Sequence, residues 1–287
     1  MRMEDSRLEG ARLVVTRDGQ VAHVELTRES RLNAMDGVFF AELAATFHAL
    51  SDDSAVRAIL LSARGRHFSA GLDLDWAAGQ FAEVRDPGRF AERQVREIAV
   101  LQAAIEAVEA ARQPVVAVLH GGVIGGGVDL ACACDLRVAS TDAWLQVAEI
   151  DVGITADLGT LQRLPHLIPG GIARELVLTG RRMAADEAAR WGLINQLADD
   201  RDAALAAGRA LAQTIAAKSP IATVGTKRSL NHSRGRPVAD GLREAALWNA
   251  ATLASDDMRV ITAARATGGV PAFRNLDRVR VEKPEAG

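Results

Sequence analysis

The chain predicts a mixed α/β core followed by a helical C-terminal region, and three observations carry that reading. Short apolar strands alternate with amphipathic helical stretches as far as about residue 200. From Asp200 the texture changes, and almost everything beyond it has helical spacing, with breaks at Ser219-Pro220, Pro237 and Gly268-Gly269. Inside the first part, the strand-like Val115-Val116-Ala117-Val118-Leu119 runs into Gly121-Gly122-Val123-Ile124-Gly125-Gly126-Gly127-Val128-Asp129, five glycines in seven residues and then an acid. At 287 residues the chain can bury a large core, as one large domain or as one domain with a smaller appendage.

From the N-terminus, Leu13-Val14-Val15-Thr16 and Val21-Ala22-His23-Val24-Glu25-Leu26 flank a turn at Asp18-Gly19 and predict a hairpin. Asp36 is placed to cap a helix whose Phe39, Phe40, Leu43, Phe47 and Leu50 share one side. Ala58-Ile59-Leu60-Leu61-Ser62 is a short apolar strand that leads into the loop Arg64–Gly71. A mobile, polar segment is expected from about Ala77 to Gly88, then a long amphipathic helix from Arg89 to Arg112 carrying Phe90, Ile98, Leu101, Ile105 and Val108. Pro114 stops that helix and opens the next strand. Beyond the glycine run come a short helix from Asp129 to Cys134, the strand Leu136-Arg137-Val138-Ala139, and helical segments around 159–166, 173–178 and 184–191. Gly192 caps the last of these, and Leu193-Ile194-Asn195-Gln196-Leu197 reads as a terminal strand.

Composition narrows the function classes. A net charge of −3 offers no basic footprint for nucleic acid, and Arg181-Arg182 reads as a solvated helix end. No stretch approaches the roughly 18 apolar residues that a membrane helix needs. The charged start Met1-Arg2-Met3-Glu4-Asp5-Ser6-Arg7 has no apolar signal region, and the ending Lys283-Pro284-Glu285-Ala286-Gly287 is no peroxisomal tripeptide, so a cytoplasmic location is expected. The only cysteines, Cys132 and Cys134, cannot complete a zinc site alone and read as small buried side chains, and the six histidines are scattered; no metal is expected.

The glycine run matches neither the G-x-G-x-x-G dinucleotide fingerprint nor a Walker A loop, and no G-x-S-x-G elbow is present. Glycine lets the backbone approach a ligand and leaves main-chain N–H groups free to face a developing negative charge. A second glycine-bearing turn, His67-Phe68-Ser69-Ala70-Gly71-Leu72-Asp73-Leu74, also comes after an apolar strand. Two such turns, each offering one N–H, would make a two-donor oxyanion hole. Carboxylates at Asp129, Glu149 and Asp157 suit proton transfer next to a carbonyl and would repel a phosphate.

Phe68-Ser69-Ala70-Gly71-Leu72-Asp73-Leu74 and the 121–130 segment resemble the two signature segments of the crotonase (enoyl-CoA hydratase/isomerase) superfamily. The resemblance continues through Arg31-Leu32-Asn33-Ala34-Met35, Cys134-Asp135-Leu136-Arg137 and Ser219-Pro220-Ile221-Ala222, so it covers nearly the whole chain. It implies a crotonase-type ββα spiral core over about residues 10–200 and a helical C-terminal region, 201–287, that builds a trimer or a hexamer of paired trimers. The run from Gln146 to Pro165, with Asp129, is similar to the Δ3,5-Δ2,4-dienoyl-CoA isomerases, which hold an Asp, a Glu and an Asp at the matching positions. That similarity implies an acyl-CoA substrate, no cofactor beyond the CoA that the substrate carries, and an oxyanion hole from the N–H groups of Leu72 and Gly126. Ala70, Gly71 and Gly125 line the substrate site by the same similarity. Glu149 would serve C2 and Asp157 C6, with Asp129 as the supporting acid; the inventory leaves open which of the first two removes a proton and which returns it.

Other residues carry structural readings. Asp73 would cap the short helix after it, Asp135 would pin the turn before its strand, Asp151 is structural, and Trp76 and Trp144 pack. Two rival functions stand beside the isomerase. A hydratase would use Asp129 in place of a glutamate but has no need of Asp157, and a silent binding protein has no need of three acids.

Overall fold

The computed structural model describes residues 12–80 and 86–278. Its larger sheet joins β1 (Leu13–Asp18), β2 (Val21–Leu26), β3 (Ala58–Ala63), β4 (Val115–Leu119), β6 (Leu136–Ser140) and β9 (Gln196–Ala198) in that order. Only the β1–β2 hairpin is antiparallel, and its turn uses the left-handed backbone of Gly19, φ +58°. The remaining pairs are parallel, and β3 and β4 are buried along their whole length, as strands covered on both faces must be. A smaller sheet, β5 (Gly122–Ile124), β7 (Trp144–Gln146) and β8 (Met183–Ala184), stands beside it.

On one face lies the main core. Helix α1 (Gly37–Asp52) starts where the Asp36 side chain accepts from the Phe39 N–H, and it buries Phe39, Phe40, Leu43, Phe47 and Leu50, the five residues expected on that side. Helix α2 (Leu74–Gln80) occupies the start of the segment expected to be a mobile connection, because Asp73 caps it through the Asp75 and Trp76 N–H groups. Residues 81–85 of that expectation lie outside the described residues. Helix α3 (Pro87–Ala110) begins under an Asp86 cap, and only its last third is buried, at Ala104, Ile105, Ala107 and Val108. Val95 and Val100, at 69% and 67% exposure, show that the helix lies open before that point.

Helix α4 (Gly126–Ala133) begins three residues before the expected start, because the left-handed Gly125, φ +49°, turns the chain directly into it. Next come helices α5 (Thr160–Arg163), α6 (Gly170–Thr179) and α7 (Ala185–Arg190). Helix α8 (Arg201–Ala216) covers the other face of the large sheet: Ala204, Ala212 and Ala216 pack on Leu60, Val116, Val118 and Val138. Gly208 is obligatory in that contact, since a Cβ there would overlap Val118 Cγ2. The chain ends in α9 (Pro220–Ser233), α10 (Val238–Thr252) and α11 (Asp256–Thr267). Their breaks fall at Pro220, Pro237 and Gly268, plus one at 253–255 that the sequence does not signal.

Candidate active site

Two main-chain turns meet at the edge where the sheets adjoin. Leu32 and Asn33 are both left-handed, φ 52° and 54°, and the Asn33 amide donates to the carbonyls of Arg64 (2.8 Å) and His67 (3.0 Å). Ser69 Oγ donates to the Asn33 carbonyl and accepts from the Gly71 N–H, so the 67–73 turn is tied down by its own neighbours. Reciprocal bonds then join this turn to the glycine run: Ser69 N–H to Gly122 O and Ile124 N–H to Ser69 O. Gly71 is left-handed, and a Cβ on it would sit 2.6 Å from the Ile124 carbonyl, which explains a glycine at the crossing.

At that crossing the Leu72 nitrogen lies 3.7 Å from where a Cβ of Gly126 would stand. Among the described residues neither the Leu72 nor the Gly126 N–H donates to a protein acceptor, and Gly126, as the first residue of α4, has no intrahelical partner to offer one. The adjoining cleft has a volume of about 520 Å³, with Ala70, Gly71, Leu72, Gly125, Gly126 and Glu149 in its wall. Leu74, Val152 and Ile154 form an exposed apolar rim around it.

Glu149 opens a single 3₁₀ turn, Glu149–Val152, and a Cβ on Gly125 would lie 3.1 Å from its Oε1. Its Oε2 is buried without a hydrogen-bond partner among the described residues. Burial pushes this carboxyl up to about 7, against its own backbone hydrogen bond, and the negative charges of Asp129 and Asp157 add to the rise. Asp129 is 1% exposed in the first turn of α4, where Oδ1 accepts from the Thr160 N–H at 2.6 Å and Oδ2 has no partner. Burial raises it to about 6; the Thr160 bonds oppose that rise, Asp157 adds to it, and Arg163 reduces it. Asp157 sits on the exposed loop before α5, its carbonyl held by Gln102 Nε2 at 2.7 Å, and partial burial raises its carboxyl too.

The expected site residues therefore divide. Glu149 shares the cleft wall with Leu72, Gly126, Ala70, Gly71 and Gly125. Asp129 lies behind that wall, and Asp157 stands off it, within electrostatic reach of both other acids. A carboxyl near 7 beside two free N–H groups can take up or release a proton at neutral pH while a carbonyl oxygen gains charge.

Sequence reasoning missed Thr160, Asn33 and Arg163. The one available signal is Gly159, left-handed at φ +121°, four residues before Arg163, where a Cβ would overlap Arg163 Nη1. The structural readings hold up: Asp135 accepts from the Val115 N–H and pairs with Lys227, Asp151 takes a bond from Gln146, and Trp144 packs on His67 beneath Arg182. Cys132 and Cys134 are buried thiols pushed up to about 12 by desolvation. Among the described residues no helix is long and apolar enough to cross a membrane, and no His, Cys, Asp and Glu cluster could hold a metal.

The enoyl-CoA hydratase/isomerase family model matches residues 16–267. The chain belongs to that family. An Arabidopsis thaliana protein named Δ3,5-Δ2,4-dienoyl-CoA isomerase, peroxisomal, is 40% identical to this family member over 262 residues, 90% of this chain and 94% of the relative. A Homo sapiens protein named Δ3,5-Δ2,4-dienoyl-CoA isomerase, mitochondrial, is 41% identical over 248 residues, 85% of this chain and 76% of the relative. The fold is shared with the solved enoyl-CoA hydratase from Bacillus anthracis, at a TM-score of 0.84 and 28% identity over 91% of this chain and 98% of that one. These names overturn the cytoplasmic expectation drawn from the two ends of the sequence: these relatives are named as peroxisomal and mitochondrial proteins.

Proposed function

We propose that this family member is a Δ3,5-Δ2,4-dienoyl-CoA isomerase of fatty-acid degradation, acting on an acyl-CoA thioester. One observation carries the assignment of the site: Glu149, raised to about 7, faces the same cleft as two unengaged N–H groups and is coupled to two further carboxyls. The identity of about 40% to relatives bearing that name supports the reaction.

A 3,5-dienoyl thioester loses a proton from C2 to the Glu149 carboxylate, and the electron pair delocalises onto the thioester oxygen. The N–H groups of Leu72 and Gly126 hold that oxyanion, each worth about 3–4 kcal/mol. The conjugated trienolate then takes a proton at C6 from the Asp157 carboxylic acid, which leaves double bonds at C2 and C4. Glu149 returns its proton, and Asp157 regains one, by exchange with water. Asp129 supports the pair: its own negative charge keeps the Glu149 proton affinity high. The isomerisation is redox-neutral, so the chain's own carboxyls suffice and CoA enters only as part of the substrate.

Residues 10–200 then bind and convert the thioester, and 201–287 serve self-association as a trimer or hexamer, with α8 also closing the sheet. Exposed apolar side chains on the last helices, Leu242, Leu247 and Leu253 at 62–66% exposure, support that use. A hydratase reading leaves Asp157 without a task. Incubation with 3,5-dienoyl-CoA should produce the conjugated 2,4-dienoyl absorbance; faster hydration of a 2-enoyl-CoA than isomerisation of the diene would replace this reading.

A further inference from the structure

Arg163 is an unusual neighbour for a cluster of acids. It is 8% exposed, and its guanidinium occupies the space that a side chain at residue 159 would fill. From there Nη1 donates to the Leu158 carbonyl at 3.3 Å, while Nε and Nη2 each reach Glu109 Oε2 at 2.8 Å. The Arg163 N–H donates to the Gly159 carbonyl. Arg163 therefore braces the peptide units between Asp157 and Thr160, its side chain at the Leu158 carbonyl and over Gly159 and its main chain at the Gly159 carbonyl, and Thr160 is the residue whose N–H holds Asp129.

The brace is anchored outside the core. Glu109, near the end of α3, also pairs with Arg234, and its carbonyl accepts from Asn231 Nδ2 on α9 at 3.2 Å. Burial opposes ionisation of Glu109, yet Arg163 and Arg234 outweigh it and hold the carboxyl below the ordinary carboxylate range. The linkage stays charged at neutral pH. It runs without interruption from the C-terminal helices to the loop between two of the three acids.

We infer that Arg163 is a positioning residue for the isomerisation: seated over Gly159 and tied through Glu109 to Arg234, it fixes the 157–160 loop and with it the separation of Asp157 and Asp129. This rests on the reading of Asp129, Glu149 and Asp157 as the working acids. A purely structural arginine would alter stability and leave the chemical step alone. A positioning arginine moves kcat and spares binding, because Arg163 is not part of the cleft wall.

The test uses the full chain and the variants Arg163→Gln, Arg163→Lys and Arg234→Gln, with circular dichroism showing which are folded. Arg163→Gln should lower kcat by about 30-fold or more while KM changes less than about twofold. Arg163→Lys keeps the charge but cannot span Leu158 and Glu109 together, so it should restore only part of that loss. Arg234→Gln lies at the surface, so it folds whatever happens to the buried variants, and it should lower kcat by about two- to fivefold with KM unchanged. Amide exchange at Thr160 supplies a second readout that needs no activity: protection should fall in each folded variant, most in Arg163→Gln. An unchanged kcat with unchanged Thr160 protection in Arg234→Gln, or a loss confined to KM in any variant, would overturn the inference. If the unaltered enzyme fails to isomerise 3,5-dienoyl-CoA, the functional reading falls separately, and Thr160 exchange alone decides whether Arg163 fixes the loop.

Discussion

Glu149→Gln is expected to make the protein more stable above neutral pH while it removes catalysis. The native carboxyl has its proton affinity raised from the ordinary 4.5 to about 7, chiefly by burial. Between those two values the folded state holds a proton that the unfolded state has already lost, so stability falls as pH rises through that window and levels off above it. Each tenfold step in proton affinity is worth about 1.4 kcal/mol, which sets the native cost at about 3 kcal/mol at pH 8. Glutamine carries no charge and escapes this cost, but its amide inherits the position of Oε2, which has no protein partner, at a penalty of about 1 kcal/mol. A net gain of about 1–2 kcal/mol remains, or roughly 2–6 °C in melting temperature for a chain of this size. Thermal or urea unfolding at fixed protein concentration from pH 5 to pH 9 measures it. The curves of the two proteins should lie close together near pH 5 and separate towards pH 8. Parallel curves across the whole range, or a less stable variant at pH 8, would refute the claim that Glu149 is held ionisable at a cost to the fold.

Asp157→Asn should abolish most isomerisation and leave CoA-ester binding within about twofold; near-normal turnover would remove Asp157 from the reaction. Gly126→Pro deletes a donor N–H and should cost at least about a hundredfold in turnover, whereas Leu72→Ala keeps its N–H and should be milder; equal losses in folded proteins would make the Leu72 side chain the functional group. If separate carboxyls serve the two carbons as proposed, solvent deuterium should enter the product at C6, and complete internal transfer from C2 would contradict the two-acid scheme. With Glu149 as the base, kcat/KM should rise as pH increases through about 7, and a profile flat from pH 5.5 to 8 would speak against it.

Legibility in the sequence tracked how local each determinant is. Helix α1 was readable in full because its cap and its five inward residues are set by spacing along one segment. The small sheet was not, since β5, β7 and β8 have three, three and two residues and exist only through pairing across the fold. The early start of α4 escaped notice because glycine signals no helix, yet Gly125 turns the chain into one. In α3, Ile98 and Leu101 have the spacing of an inward face but are only half-buried, because just the last third of that helix meets the core. At the candidate site, Glu149 and the two turns were suggested by composition. Asp157 stood out only as one of three carboxylates near the glycine turns, and its role at C6 came through resemblance, while Arg163 and Thr160 act through contacts between side chain and loop that spacing does not announce.

The two unengaged N–H groups owe their separation to reciprocal main-chain bonds between the 67–73 turn and the glycine run, reinforced where His67 Nδ1 accepts from the Gly122 N–H at 2.8 Å. Such a frame is indifferent to which acids surround it. A lineage could exchange carboxyls on the loops above and leave the anion-holding geometry untouched, trading one reaction of a thioester enolate for another at little cost to folding. On the proposed reading, reaction type in this architecture is a property of a few replaceable acidic positions, whereas the ability to tolerate an enolate would belong to the backbone.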